Sequence, residues 1–176
     1  MFLPDRRLIA ARNAMEVVRA YEEQVRTAAL IDVSAGYAAE ATRILDAFRV
    51  QDLTLPACPS VDYLSMLGTE VRMIEVKGRG GFGPITVIER ELDTLTCAGQ
   101  SGWLYVVWNT TQPSPYAMRV IRDPQRLPWR ESRPATRARG EFRGARHEAA
   151  FTVDYEAIER YGEAADLRDL ELPPKD

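Results

Sequence analysis

Asp62, Glu75 and Lys77 stand in the middle of the chain, the lysine two positions after the second carboxylate. On neighbouring strands, the period of two places Glu75 and Lys77 on one face, and a tight hairpin brings Asp62 toward that face near the strand ends. Two carboxylates held close repel each other. A divalent cation, Mg²⁺ or Mn²⁺, relieves the conflict by taking oxygen ligands from both, and a lysine beside it orients a metal-bound water or helps to deprotonate it. Phosphodiester hydrolysis needs this equipment. The competing reading is a Glu-x-Lys pair on a solvated strand face, which is a common pattern. With Lys77 on an exposed strand face, Lys77→Ala is expected to change stability by no more than roughly half a kcal/mol.

The surrounding pattern supplies elements to hold these residues. Residues 61–67 and 71–76 are short, apolar and rich in β-formers, and Gly68-Thr69-Glu70 between them signals a hairpin. Residues 72–78 read as a strand with apolar side chains on one face and charged ones on the other. Pro4-Asp5 marks a helix start, and Leu8, Met15, Val18, Tyr21 and Val25 recur at helical spacing, giving a first amphipathic helix over 8–25. A second helical pattern covers 37–48 before Pro56 and Pro59 interrupt it. Further on, 85–88 is expected as a strand, 89–98 as a helix, 102–108 as a strand buried on both faces and 116–121 as another strand. Residues 109–115 read as a loop and 130–146 as a long Arg-rich loop. A strand and short helix are expected over 151–161, and a frayed end over 172–176.

With 176 residues, 45% of them hydrophobic, the chain has the material for one domain with a core of its own. We expect that domain over 1–162, with an insertion at 35–58 and an acidic, partly flexible tail over 163–176. The formal net charge is only −3, but its distribution is uneven. Residues 119–146 carry nine arginines against three acids, and residues 147–176 carry nine acids against three basic residues. A basic segment beside an acidic one points to phosphate contacts or to internal pairing. Cys58 and Cys97 lack the spacing of a zinc site or a redox pair and read as ordinary buried thiols. The opening residues lack a signal-peptide pattern and no run is long enough to span a bilayer, so a cytoplasmic location without membrane association is expected.

In order along the chain come Asp62-Tyr63-Leu64-Ser65, Ile74-Glu75-Val76-Lys77-Gly78-Arg79, Gly83-Pro84-Ile85-Thr86, Trp103-Leu104-Tyr105-Val106-Val107 with Asn109, and Arg122-Asp123-Pro124. Together these resemble the domain of unknown function at the C-terminus of the plant protein NO VEIN. The resemblance covers roughly residues 60–127, and residues 18–22 are similar to the family's opening segment. It implies the α/β fold of the PD-(D/E)xK nuclease superfamily, a restriction-endonuclease-like central mixed sheet flanked by helices. It further implies metal ligation by Asp62 and Glu75, water activation by Lys77, and additional site roles for Glu91 after the glycine-rich turn and Glu22 in the first helix. DNA is the implied substrate, and a helicase-like or phage-defence protein the implied partner. The alternatives are a nucleic-acid-binding module that keeps the fold without cleaving and a protein-interaction module that accompanies a helicase-like protein.

Other signals weigh less. Gly78-Arg79-Gly80-Gly81-Phe82-Gly83 fits a phosphate-loop spacing, but 84–88 reads as extended chain, so no helix N-terminus is offered to a phosphate. His147 has no partner motif for a nucleophilic triad and reads as a surface residue. Trp103 and Trp108 belong to a buried strand, and Trp129 to a loop anchor or a stacking site. Arg79, Arg130, Arg133, Arg137, Arg139, Arg143 and Arg146 are candidates for gripping phosphates, which a planar guanidinium does well. The other reading of these arginines is a solvated loop that balances the acidic tail.

Overall fold

The computed structural model describes residues 5–34, 60–132 and 148–172. Helix α1 spans Arg6–Ala20, and its N-cap is Asp5, whose carboxylate accepts from the Arg7 N–H at 2.9 Å. Beyond Ala20 the helix widens into a π turn over Tyr21–Val25, closed by the Arg26 N–H on the Tyr21 carbonyl at 3.2 Å. The expected helix over 8–25 therefore begins two residues earlier and changes winding in its last part. A short strand unanticipated from sequence follows, β1 (Ala29–Asp32).

The hairpin forms as expected. Strands β2 (Tyr63–Leu67) and β3 (Glu70–Gly78) pair antiparallel with Leu67 opposite Glu70. The two-residue turn places Gly68 at φ 61, a conformation that costs other residues more than glycine. Next come β4 (Ile85–Ile88), helix α2 (Glu89–Ala98), β5 (Gly102–Trp108) and β6 (Ala117–Arg122). Strand β5 runs parallel to β3, with Lys77 opposite Val106. A parallel pair needs a crossover, which β4 and α2 supply. The last elements are β7 (Arg130–Ser132), β8 (Ala150–Val153), α3 (Tyr155–Tyr161) and the two-residue β9 (Glu163–Ala164).

The main sheet is mixed and six-stranded, ordered β1-β2-β3-β5-β6-β9, and a second sheet is ordered β4-β8-β7. Helices flank the main sheet, which is the α/β class expected. On one face α1 contributes Ala14, Val17 and Val18 against Tyr63, Ile74, Val76, Tyr105 and Val107. On the other, Leu104, Val106, Trp108 and Ile121 meet Ile85, Val153 and Ile158 from the second sheet and α3. Strand β5 alternates between these two cores, which is why its sequence is apolar throughout. A third cluster joins Leu64, Val71 and Met73 to Ala98 of α2. The backbone closes tightly where β3 ends: a Cβ at Gly78 would lie 2.4 Å from the Ala10 carbonyl oxygen.

Several expectations are corrected. Residues 130–132 are strand rather than loop, paired through Ser132 with Ala150. Cys97 is exposed, not buried, because it stands on the outer side of α2. The helix and insertion expected within 35–58, Cys58, His147, and residues 133–146 and 173–176 lie outside the described residues. Among the described residues no helix is long and apolar enough to cross a membrane.

Candidate functional site

Strand β2 begins one residue after Asp62, but the ladder reaches it. Its N–H donates to the Ile74 carbonyl at 2.9 Å, and its carbonyl accepts from the Val33 N–H at 2.9 Å. Both backbone groups are thus fixed between neighbouring strands. The side chain turns toward β3, where Oδ2 accepts from the Val76 N–H at 2.8 Å. Alternation along β2 and β3 places Asp62, Glu75 and Lys77 on the face that carries α2.

Glu75 is 3% exposed, an unusual place for a carboxylate. Lys77 Nζ lies 2.6 Å from Glu75 Oε1 and 2.7 Å from Glu91 Oε2. Glu91 comes from the first turn of α2, and its Oε2 also accepts from the Ile88 N–H at 3.0 Å. That bond satisfies a backbone donor at the helix start, where negative charge is favoured. Glu91 therefore caps its helix and holds Lys77 at once.

The electrostatics follow from three carboxylates sharing one ammonium. Burial raises the Asp62 carboxyl above its ordinary range, against the opposing pull of the Val76 N–H and Lys77. Burial raises Glu75 much further, Lys77 opposes it, and the nearby charges of Asp62 and Glu91 add to the rise. For Lys77, burial disfavours the charge, but Glu75 and Glu91 override it and lift the ammonium well above its normal value. With all groups ionised, the surplus negative charge attracts cations.

The sequence expectation needs two adjustments here. Lys77 is not on an exposed face, since its side chain is only 20% exposed and lies between two carboxylates. Nor do the charged residues of β3 share one face. Glu75 and Lys77 lie with Val71 and Met73, whereas Arg72 points the other way, its guanidinium carbon 3.8 Å from the Trp103 ring centroid.

Glu22 is not brought to this cluster. It lies fully buried on the α1 face, where it accepts from Arg26 Nη1 at 2.6 Å, from the Tyr105 hydroxyl at 2.5 Å and from the Ser65 hydroxyl. Arg72 donates to the Tyr105 hydroxyl at 2.8 Å, and both Arg26 and Arg72 bond Glu70. Glu22 follows Val18 by four residues on the buried stripe of the helix, and the width of the sheet separates it from Asp62 and Glu75. The first-helix glutamate is a member of a satisfied internal network here.

Two of the candidate arginines lie among the described residues. Arg79, exposed on the turn after β3, donates from Nη1 to the Pro84 carbonyl at 2.6 Å. Arg130 pairs with Asp154, so part of the basic segment is met by an acid from the following acidic stretch. Arg133, Arg137, Arg139 and Arg143 lie outside the described residues. Trp129 is an anchor, its indole N–H donating to the Pro124 carbonyl at 2.8 Å. The turn over 78–84 leads into β4, not a helix, as expected. Asn109 and Asp123 hold left-handed turns at φ 60 and 52. Phe82, to which the sequence reading gave no role, stands exposed on the turn that follows β3; an aromatic side chain inside a glycine-rich turn is the signal that marks it.

Among the described residues, no three Asp, Glu, His or Cys side chains form a group able to hold a metal ion by themselves. Searches against protein-family models, curated proteins and solved structures find nothing that matches the chain, so the case for function rests on the convergence of Asp62, Glu75, Lys77 and Glu91.

Proposed function

We propose that the chain is a metal-dependent phosphodiesterase acting on DNA, with a PD-(D/E)xK-like site formed by Asp62, Glu75, Lys77 and Glu91. The observation that carries the reading is Lys77 held by Glu75 and Glu91 beside Asp62, at the end of β3 where α2 begins. The resemblance to the NO VEIN C-terminal domain points the same way, and so does its association with DNA-processing and defence proteins.

The donor set suits Mg²⁺ or Mn²⁺. Both ions favour hard oxygen ligands, and Mg²⁺ commonly takes only one or two carboxylates, completing its shell with water and substrate phosphate. Asp62 and Glu75 are those carboxylates. A protein group of three ligands is not required for a cation that binds with its substrate. Bound there, the ion would lower the pKa of a coordinated water and offset charge on the phosphate.

The chain's own residues set the rest. The Val76 N–H fixes the direction of the Asp62 carboxylate. Glu75 and Glu91 keep Lys77 protonated through the neutral range. That charge state suits orienting the attacking water and stabilising charge that develops on the phosphoryl oxygens, and it argues against Lys77 as the proton acceptor. Glu91 positions the ammonium from the second side.

A metal-titrated cleavage assay on single- and double-stranded DNA tests the reading, with Glu75→Gln as the control. That change keeps the shape and removes the charge. Cleavage by the unaltered chain that requires Mg²⁺ or Mn²⁺ and disappears in Glu75→Gln supports the assignment. DNA binding without cleavage under any divalent cation would favour the non-cleaving module instead.

A further inference from the structure

The turn that links β3 to β4 carries an aromatic side chain with no part in the chemistry above. It leaves β3 at Gly78, one residue after Lys77, and returns through β4 to the start of α2, where Glu91 stands, so both of its ends lead to residues of the cluster. Gly80 passes close over Thr111, where a Cβ would lie 2.5 Å from the hydroxyl oxygen. The Trp108 indole N–H donates to the Gly83 carbonyl at 3.2 Å, and the Arg79 guanidinium folds back over the same glycine to reach Pro84. The turn is therefore pinned at several points.

On it Phe82 is 56% exposed. A lone exposed phenylalanine needs no explanation in general. This one is held by two other rings, Tyr155 at 5.4 Å and Trp108 at 5.8 Å, which themselves meet edge-on at 5.2 Å. Three aromatic rings locked together fix the orientation of the outermost, and more than half of its surface stays open. Trp108 lies two residues beyond Val106, the register partner of Lys77, and on the same sheet face. That places the Trp108 backbone, which anchors the group, about 7 Å further along the strand direction than Lys77. The exposed Arg79 accompanies it on the turn.

We propose that Phe82 is a stacking platform for an unpaired nucleobase of the DNA strand whose phosphate lies at Asp62, Glu75, Lys77 and Glu91, with Arg79 facing that strand's backbone. The proposal rests on the phosphodiesterase reading of the cluster and names its substrate class as single-stranded or locally unpaired DNA. Every base has a π face, so stacking of this kind tolerates any sequence. A base inside a duplex already has both faces covered by its neighbours and must be unstacked before it can use the platform.

The test compares wild type with Phe82→Ala, Phe82→Leu and Phe82→Trp. The probes are a single-stranded DNA oligonucleotide carrying 2-aminopurine and its matched duplex. Binding is measured in Ca²⁺, and cleavage of the same strands in Mg²⁺. We expect wild type to prefer the single strand and to quench 2-aminopurine. Phe82→Ala and Phe82→Leu should each weaken single-strand binding by about 5- to 150-fold, the range of one stacked base. Duplex binding should stay nearly constant, and Phe82→Trp should retain tight single-strand binding. Leucine keeps the apolar bulk, so a loss in both variants assigns the effect to the ring. Wild type that cleaves DNA while all three variants bind and cut the single strand equally well would overturn the stacking proposal and leave the phosphodiesterase reading intact. Leucine equal to phenylalanine would also overturn it, marking a plain apolar contact. Wild type that neither binds nor cuts either strand would remove both.

Discussion

Replacing Lys77 by alanine is expected to destabilise the protein substantially at neutral pH and much less in acid. The ammonium stands 2.6 Å from Glu75 and 2.7 Å from Glu91, and the two carboxylates are 4% and 15% exposed at the side chain. Breaking a fully buried ion pair by removing one partner costs about 3–5 kcal/mol. The 20% exposure of Lys77 lets water reach the site, so about 2–3 kcal/mol is the better expectation on that scale. The loss has a ceiling, because Glu75 can take up a proton once its cation is gone. That protonation costs about 1.4 kcal/mol for each unit by which its pKa falls short of the ambient pH. The sign follows directly. The variant's folded-state carboxyl pKa is raised above its unfolded value, so stability is retained at low pH and declines as pH rises through the folded pKa. Urea unfolding of wild type and Lys77→Ala at about pH 5 and pH 7.5 measures the difference. About 10 mM Mg²⁺ should recover about 1.4 kcal/mol at pH 7.5 if the site binds it with a millimolar Kd, and more in the variant than in wild type because the competing ammonium is absent. A variant within half a kcal/mol of wild type at both pH values would refute the buried ion-pair reasoning and restore the exposed-face expectation.

Glu22→Ala should cost about 2–3 kcal/mol in urea unfolding, less than the about 3–5 kcal/mol of a fully stranded buried charge because Glu70 still bonds both Arg26 and Arg72, yet leave the cleavage rate per folded molecule unchanged; a selective loss of rate would return Glu22 to the site. Combined alanine substitution of Arg133, Arg137, Arg139 and Arg143 should weaken DNA binding and flatten its dependence on salt, since each lost phosphate contact releases fewer counterions; an unchanged salt slope measured by fluorescence anisotropy would assign these arginines to the acidic segment instead. The Tyr63 phenol, buried and bonded to the Met15 carbonyl at 3.2 Å, has its pKa raised by burial to about 12 despite the opposing Arg19. The folded state therefore holds this proton more tightly than the unfolded state. Stability present below pH 10 should be lost as pH climbs toward 12, and Tyr63→Phe should soften that alkaline decline in a thermal-melt series.

The parts of the fold written in local periodicity were legible in the amino-acid sequence. Gly68-Thr69 between two β-rich runs specified the hairpin, because few residues accept φ near +60 as readily as glycine. The unbroken apolar run of β5 specified a central strand, because both its faces are covered. The same alternation placed Glu75 and Lys77 together, and the charges themselves suggested a cation. Long-range contacts decided the rest. Strand β1 is four residues long and partly exposed, so its pattern is too short to stand out before β2 pairs with it. The burial of Lys77 depends on α2 packing across β3 and delivering Glu91 from 14 positions away, a distance over which periodicity carries no information. Glu22 illustrates the same limit. Glu22 stands four residues beyond Val18 and eight beyond Ala14, on the stripe of the helix that is buried, but its charge is matched only by Ser65, Arg72 and Tyr105, which arrive from three other segments. Strand parity could be read one residue at a time, whereas which side of the sheet each helix covers was fixed only when the apolar faces were buried together.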